Sequence, residues 1–147
     1  MGRDIRFKAW DYRYNVMVPS VAVYQHSDHI GFDLDLAETI YSNEVLESDD
    51  GHIYGGEGEW VFMMNEFELL QYIGIQDNFH EDIFDGDLVK TTQGSIFQVL
   101  WDQGECGWIL LCLNGEWRGR KCELKAIFDV NLEVIGNIYE NPELVPK

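Results

Sequence analysis

The stretch from Glu66 to Lys90, EFELLQYIGIQDNFHEDIFDGDLVK, decides how the rest of the sequence is interpreted. It consists of an apolar run, a break at Gly74, an acidic segment and a second apolar run that begins at Ile83. Asp85-Gly86 is the strongest turn signal in the chain, because glycine adopts positive φ without steric cost and aspartate tolerates the neighbouring position. The residues before this turn are strongly acidic, and those after it form short alternating segments.

The segments after Gly86 have the spacing of a small β domain. Glycine-containing turn sequences separate apolar segments every eight to twelve residues or so, which is typical of a barrel or sandwich. The pattern predicts five strands: Asp87–Thr91, Ser95–Trp101, Trp108–Leu113, Lys121–Ile127 and Leu132–Tyr139. Five strands in this span suit a small SH3-like barrel, with Gly86 at positive φ. Asn141-Pro142 is predicted to end the ordered chain, and the last residues are predicted to form a tail.

The N-terminal part shows the same strand signals less regularly. Residues Asp4–Trp10 alternate between two faces, which predicts a strand with one wet face. Val16–Tyr24 predicts a second strand, and Pro19 places an edge or a bulge in it because proline cannot donate to the ladder. Leu34–Val45 fits either a short helix or two short strands.

These signals predict a mainly β fold in two parts. An acidic N-terminal β unit, residues 1–74, is expected to pack on a C-terminal SH3-like small barrel, residues 75–147, which ends in a short tail. Each part is close to the lower size limit for independent folding, so extensive packing between them is expected.

The charge is concentrated in one part of the chain. The net charge is −17, from 27 acidic and 10 basic residues, and no Lys or Arg occurs between Tyr14 and Val89, where 17 acids lie. The remaining 27 − 17 = 10 acids balance the 10 bases. This asymmetry argues against direct contact with nucleic-acid phosphates or anionic membranes. It is compatible with a basic protein partner, a cation or a solvated surface.

The absence of targeting signals and the cysteine spacing predict a cytoplasmic protein. No run approaches the ~20 apolar residues of a membrane span, and the first residues do not lead into the apolar segment of a signal peptide. Cys106, Cys112 and Cys122 lack C-x-x-C spacing, and the histidines lie far upstream. We therefore predict three free thiols and no zinc site.

An acidic cluster, Glu81, Asp82, Asp85 and Asp87, has the oxygen ligands that a hard cation prefers. The calcium-loop pattern is absent, however, and alternate residues of a strand need not converge. We therefore assign no metal ligand and no cofactor to it.

Other candidates for chemistry are weaker still. Asp33 and Asp35 flank Leu34 in a pattern typical of a solvated face, and His26 and His29 lack a nucleophile in any recognisable context. No glycine-rich loop opens a helix, so a phosphate cradle is not predicted. The sequence assigns no catalytic, cofactor-binding or metal-binding residue.

The five tryptophans exceed what one small barrel core easily holds: Trp10, Trp60, Trp101, Trp108 and Trp117. One interpretation is an aromatic groove that binds peptide. The favoured interpretation is that the rings fill the joint between the two parts or a subunit interface.

Three stretches resemble the YopX family of phage and prophage proteins. They are IRFKAWD at 5–11, LQYIGI at 70–75 followed by IFDGDLV at 83–89, and EVIGNIYENPEL at 133–144. The resemblance implies a phage or prophage origin, a mainly β fold with an SH3-like barrel, and no established enzymatic activity. It supplies no catalytic residues. The segment between Gly74 and Ile83 departs from the family pattern, because it carries neither the lysine nor the glycine usual there.

We expect a non-enzymatic phage or prophage accessory protein that acts through protein–protein contacts and forms a homo-oligomer. Its charge is compatible with a basic protein partner. The alternative is an acidic nucleic-acid mimic that binds a host DNA-binding or restriction protein. A hydrolase that uses acidic residues is a third hypothesis, which a concave pocket holding a carboxylate pair would favour.

Overall fold

The computed structural model describes residues 4–23, 29–33, 40–41, 52–54, 59–63, 67–125 and 130–147. Antiparallel strands dominate this part of the chain, so the mainly β fold is confirmed. The strands are β1 (Phe7–Asp11), β2 (Val16–Val23), β3 (His29–Asp33), β4 (His52–Tyr54), β5 (Glu59–Met63), β6 (Phe67–Gln76), β7 (Asp82–Phe84), β8 (Asp87–Thr91), β9 (Ile96–Asp102), β10 (Gly107–Cys112), β11 (Lys121–Glu123) and β12 (Leu132–Asn137). A 3-10 helix, Pro142–Leu144, follows β12.

The chain divides into two compact units. The first unit is Arg6–Leu70, and the second is Gln71–Lys147 together with the residues up to Ile5. Strand β6 contributes its first four residues to the first unit and the remainder to the second. The predicted division into two domains at residue 74 stays a prediction.

The first unit is a sheet with the strand order β4-β5-β3-β2-β1-β6. The register between β1 and β2 shifts, with Phe7 opposite Val21 but Ala9 opposite Val18. The extra residue of β2 therefore lies next to Pro19, and β2 is flanked by a strand on each side. Of the two predicted explanations for Pro19, the bulge is confirmed.

Strand β1 differs from the prediction of one wet face. Ala9, Trp10 and Asp11 are all buried, although neighbouring residues of a strand point to opposite faces. The burial of an aspartate is possible here because Tyr41 and Arg13 both donate hydrogen bonds to it. The prediction failed at Trp10, which lies on the face predicted to be wet but is buried in a strand that has β2 and β6 as neighbours.

Several sequence predictions lie outside the described residues. Of the segment Leu34–Val45, only Ile40 and Tyr41 are described. Asp35 and His26 also lie outside the described residues, whereas Asp33 and His29 belong to β3.

The second unit contains a five-stranded sheet in the order β11-β10-β9-β8-β12. Strands β8 to β11 follow one another as antiparallel neighbours, and β12 returns to pair with β8. All five predicted strands are present, and β8 has the predicted bounds. The described part of the fourth is shorter, since β11 ends at Glu123. Closure into an SH3-like barrel stays a prediction.

One apolar cluster forms the core of the second unit. Its fully or almost fully buried members are Ile73, Ile83, Val89, Val99, Leu110 and Leu132. Burying one such side chain contributes about 1.5–3 kcal/mol, so this cluster accounts for much of the stability of the unit.

The turn at Asp85-Gly86 leads from one strand pair to another instead of closing a hairpin. Strand β7 pairs with β6, whereas β8 pairs with β9 and β12. Gly86 has φ +85°, as predicted. Its N–H donates to the Val99 carbonyl at 2.8 Å, and its carbonyl accepts from the Ile138 N–H at 3.0 Å. A Cβ at this position would lie 3.0 Å from Cε2 of Tyr139.

The C-terminal residues, predicted as a tail, have defined structure. The side-chain oxygen of Asn137 accepts hydrogen bonds from the backbone N–H groups of Tyr139 and Glu140. The 3-10 helix follows, and a guanidinium nitrogen of Arg118 donates to the carbonyl of Lys147 at 2.9 Å. The prediction overlooked that asparagine can hold a turn through its side chain as well as end a strand.

Candidate functional site

The loop between β6 and β7, Asp77 to Glu81, is organised around one buried carboxylate. Oδ1 of Asp77 accepts hydrogen bonds from the backbone N–H groups of Phe79 and Glu81 at 2.8 and 2.9 Å. Oδ2 accepts from the Val134 N–H at 2.8 Å. A carboxylate that satisfies three backbone donors holds the loop in one conformation.

Asn78 attaches the same loop to the outer side of β12. Its backbone N–H donates to the Leu132 carbonyl at 3.1 Å, and its side-chain oxygen accepts from the Leu132 N–H at 3.0 Å. Its side-chain amide donates to Asn131 at 2.8 Å. The acidic loop therefore covers β12 on the side away from β8.

Phe79 projects from this ordered loop into solvent, and 66% of its surface is exposed. Beside it lies a cleft of about 390 Å³ lined by polar residues that include Lys90, Thr91, Asn131 and Glu133. We call Phe79 and this cleft the Phe79 surface. An exposed phenyl ring on a rigid loop is a feature of contact surfaces.

The acidic cluster considered as a cation site is engaged in the fold. Oδ2 of the buried Asp87 accepts from the Phe84 N–H at 2.8 Å, and Oδ1 of Asp82 accepts from the Gln76 side chain at 3.0 Å. Within the described residues, no three His, Cys, Asp or Glu side chains are grouped as metal ligands would be. These carboxylates act as acceptors that shape turns.

The three cysteines are free in this structure. Cys106 is exposed, Cys122 is half-buried, and Cys112 is buried with its thiol directed to the Asn114 carbonyl at 3.2 Å.

Trp101 and Trp108 face each other across the hairpin of β9 and β10. Their ring centroids are 5.3 Å apart and the rings are nearly perpendicular, at 80°. This edge-to-face arrangement is a favourable geometry for an aromatic pair. Trp108 packs against the core, whereas Trp101 is 47% exposed. The sequence shows both tryptophans, but their pairing follows from the register of the hairpin, which was not predicted.

Trp108 also lines a cleft of about 360 Å³ whose walls come mainly from β10 and β11, and we call it the tryptophan cleft. Its other walls include Glu105, Lys121, Cys122, Glu123 and Leu124. The Nε1–H of Trp108 is buried and has no acceptor within the described part of the chain. A buried donor without an acceptor costs about 1–3 kcal/mol.

The charges at the cleft are mostly paired. Nζ of Lys121 lies 2.6 Å from the Asp102 carboxylate, and Nζ of Lys125 lies 2.9 Å from that of Glu123. The hydrogen bond from Lys121 lowers the pKa of Asp102, and the same bond raises the pKa of Lys121. The negative charge of Glu105 also raises the pKa of Lys121, so this ammonium group interacts with both carboxylates.

The remaining described tryptophans have different surroundings. Trp10 is buried in β1. Trp117 is 56% exposed, and the guanidinium of Arg120 lies 4.3 Å from its ring centroid.

A buried polar network lies in the first unit. The Tyr41 hydroxyl donates to Oδ2 of Asp11 at 2.7 Å, and a guanidinium nitrogen of Arg13 lies 3.2 Å from the same oxygen. Burial, followed by the hydrogen bond to Asp11, raises the pKa of Tyr41 well above its usual range. This network connects Tyr41 to β1, and its buried hydrogen bonds indicate a structural role.

Comparison with known proteins places this arrangement in a family. The chain is a mainly β protein of two antiparallel sheets, and a family model described as YopX protein matches residues 6–146. The chain belongs to the YopX family. The crystal structure of protein EF1440 from Enterococcus faecalis has a similar fold, with a TM-score of 0.59 and 20% identity over 99% of this chain and 100% of that one. No curated protein matched.

Two of the stretches that resemble the family meet at the Gly86 turn. IFDGDLV contributes Gly86, and GNIYENP contributes Ile138 and Tyr139, which contact it. The fold therefore accounts for the proximity of these two stretches. No helix in the described ranges is long and apolar enough to cross a membrane.

Proposed function

We propose that this YopX-family chain is a non-enzymatic phage or prophage accessory protein that acts through protein–protein contacts as a homo-oligomer. The observation that carries the proposal is the exposed Trp101, whose ring packs edge-to-face on Trp108. Aromatic rings that are held in place but accessible are enriched at the centres of protein interfaces. The phage or prophage origin rests on the family resemblance.

The use of the carboxylates supports a role without catalysis. Asp11, Asp77 and Asp87 are buried, and each accepts hydrogen bonds from neighbouring groups of the fold. A hydrolase needs a carboxylate in a pocket with a pKa suited to proton transfer. The most buried acids of the described residues instead serve as acceptors for backbone or side-chain donors.

The proposal is tested by affinity capture from a bacterial lysate at low and high salt, with the full chain as bait. We expect a specific protein to be retained by the natural chain and lost with Trp101→Ser, while Trp117→Ser retains it. Sedimentation velocity on the same proteins tests the homo-oligomer and shows whether Trp101 or Phe79 lies in its interface. A monomer that retains no protein contradicts the proposal.

The second candidate is an acidic nucleic-acid mimic located in the cytoplasm of the host. The charge distribution favours it, because the 17 acids between Tyr14 and Val89 have no Lys or Arg among them. A mimic would retain a DNA-binding protein, and duplex DNA would compete for that protein. Release by duplex DNA, together with loss of retention at high salt, distinguishes mimicry from an interface centred on the tryptophans.

A further inference from the structure

We infer that the Phe79 surface is a self-complementary interface through which two copies of this chain associate about a twofold axis. The inference rests on the proposed function, and it specifies one partner, a second copy, and the surface that contacts it. It begins with Phe79, whose side chain is the most exposed of the large apolar ones in the described part of the chain.

The exposed ring of Phe79 is carried by an ordered backbone. The Phe79 N–H donates to Oδ1 of Asp77 at 2.8 Å, and the preceding Asn78 is bonded to both the N–H and the carbonyl of Leu132. Association therefore does not have to order this loop, which removes one of the usual costs of binding. Aromatic side chains on such surfaces are enriched in protein interfaces.

The charged residues of the cleft are a lysine and a glutamate that stand opposite each other. Lys90 and Glu133 both line the cleft, and they are partners in the pairing of β8 with β12. Both side chains are exposed, and neither belongs to an ion pair with another described residue. A strongly basic or strongly acidic partner would meet one matching and one repelling charge here. The surface that matches both presents the same two charges in the reverse order.

A second copy, rotated by half a turn, presents that reverse order. In a twofold interface every contact occurs twice, so Lys90 of each copy meets Glu133 of the other. Because Phe79 lines the same cleft, this contact also removes its phenyl ring from water. The two ion pairs fix the orientation of the copies, and burial of the rings supplies the attraction.

The position of this surface in the sequence permits self-association of an acidic chain. All lining residues except Asn78 and Phe79 lie outside the span from Tyr14 to Val89, which holds the whole excess of acids. Strand pairing is blocked at Leu132, because its N–H and carbonyl are both bonded to Asn78. Side chains therefore make the contact, and their substitution is its proper test.

The experiment measures self-association of the full chain by sedimentation velocity over a range of protein concentrations. We expect a dimer whose Kd rises about tenfold or more in Phe79→Ser, because the apolar contact is lost. Trp117→Ser removes an exposed aromatic ring that does not line the cleft, and it should leave the Kd unchanged.

Charge reversals test the ion pairs. Lys90→Glu and Glu133→Lys should each raise the Kd about tenfold or more, since each places two pairs of like charges in the twofold interface. Lys125→Glu makes the same change of charge outside the cleft and should alter the Kd about twofold or less.

Mixing the two charge variants separates a contact between copies from one within a chain. In an equimolar mixture of Lys90→Glu and Glu133→Lys, the two introduced charges face each other and the two natural charges do the same. The heterodimer should therefore form about as tightly as the natural dimer, whereas charges paired within one chain are not restored by mixing. Native mass spectrometry with one variant ¹⁵N-labelled separates the heterodimer from the homodimers.

Three results would overturn the inference. They are a natural chain that stays monomeric, an oligomer that Phe79→Ser leaves intact, and a mixture of the charge variants that associates no better than either variant alone.

The outcome is separable from that of the broader proposal. If lysate capture succeeds while the natural chain is a monomer, the Phe79 surface is not a self-interface, although the protein-contact function stands. If the dimer responds to Phe79→Ser and to the charge variants while no protein is captured, the self-interface stands and contact with other proteins fails.

Discussion

The carboxylate of Asp77 accepts a 2.8 Å hydrogen bond from the backbone N–H of Val134, 57 residues further along the chain. The same side chain accepts two more N–H groups within its own loop. Asp77→Ala should therefore lower the free energy of unfolding by about 3 kcal/mol, because it leaves three backbone donors without this acceptor. Urea denaturation measures the change.

Asp77→Asn provides the sharper comparison. An amide retains one oxygen acceptor but presents its NH₂ group to the other donor, so this variant should also be destabilised, by about 2 kcal/mol. Glu81→Gln changes an exposed carboxylate in the same loop and should stay within about 0.5 kcal/mol of the natural protein. If Asp77→Asn leaves the free energy of unfolding unchanged, neither the charge of Asp77 nor its second oxygen acceptor is important.

Gly86 and Gly94 offer a matched test of crowding at the turn. Both have positive φ, +85° and +94°, but a Cβ on Gly86 would meet Tyr139 at 3.0 Å while one on Gly94 would meet nothing within 4 Å. Gly94→Ala should cost about 1 kcal/mol from backbone strain alone. Gly86→Ala should cost more, and thermal unfolding of both variants gives the difference. Equal losses would mean that Tyr139 moves aside without cost.

Tyr41→Phe removes the hydrogen bond to the buried Asp11. We expect a loss of about 1–3 kcal/mol in the free energy of unfolding, because the carboxylate stays buried with one fewer donor. Tyr12→Phe is the control, since the Tyr12 hydroxyl donates to Glu68 in an exposed position. Its loss should be below about 0.5 kcal/mol.

The same tyrosine should make the protein sensitive to alkali. The pKa of Tyr41 is raised in the folded state, first by burial and then by Asp11, so the folded protein retains a proton that the unfolded chain releases above about pH 10. Stability is therefore present below that pH and falls as the pH rises above it. We would measure the free energy of unfolding from pH 9 to 11, a range about the usual tyrosine pKa. It should fall less steeply with pH in Tyr41→Phe than in the natural protein. An unchanged slope would contradict the assignment.

The Asp102–Lys121 pair makes a prediction for titration by NMR. The hydrogen bond between them lowers the pKa of Asp102 and raises that of Lys121. The contribution of Asp102 to stability is present above its unfolded pKa and is lost as the pH falls through its lower folded value. The contribution of Lys121 is lost as the pH rises through its raised value. Asp102→Asn should return the pKa of Lys121 towards that of an ordinary lysine, and Glu116→Gln should leave it unchanged.

Sodium chloride should stabilise the protein. With 17 acids and no Lys or Arg between Tyr14 and Val89, carboxylates within a Debye length of about 8 Å repel one another at physiological ionic strength. Added salt screens this repulsion, so Tm should rise, with choline chloride as the control for a specific sodium effect. A fall in Tm would indicate that native ion pairs dominate the response.

The predictions from sequence succeeded where turns are set by local chemistry. Gly86, the five strands after it and the bulge near Pro19 follow from glycine, proline and alternating residues. They failed where a side chain is explained by a distant partner. Burial of Asp11 depends on Tyr41, 30 residues away. The acids near Gly86 were assigned no metal, but their roles as hydrogen-bond acceptors were not predicted, because the sequence does not show which donors lie beside them.

The candidate site was predicted only in part. The excess of tryptophans indicated an aromatic contact surface, but Trp101 and Trp108 become a pair only through the register of β9 and β10. The loop from Asp77 to Glu81 was interpreted through its charge. Its hydrogen bonds to Leu132 and Val134 connect segments more than fifty residues apart, so no local sequence pattern predicts them.

The position of Asn78 against β12 has a consequence for self-assembly. Leu132 uses both its N–H and its carbonyl on this loop, and Val134 uses its N–H. Without the loop, three adjacent backbone groups would form an open template on which a strand of another chain could pair, the first step of edge-to-edge polymerisation. The acidic segment therefore covers these groups of β12 and blocks pairing with a strand of another chain. A protease cut within it should produce fibrils before it produces an unfolded monomer.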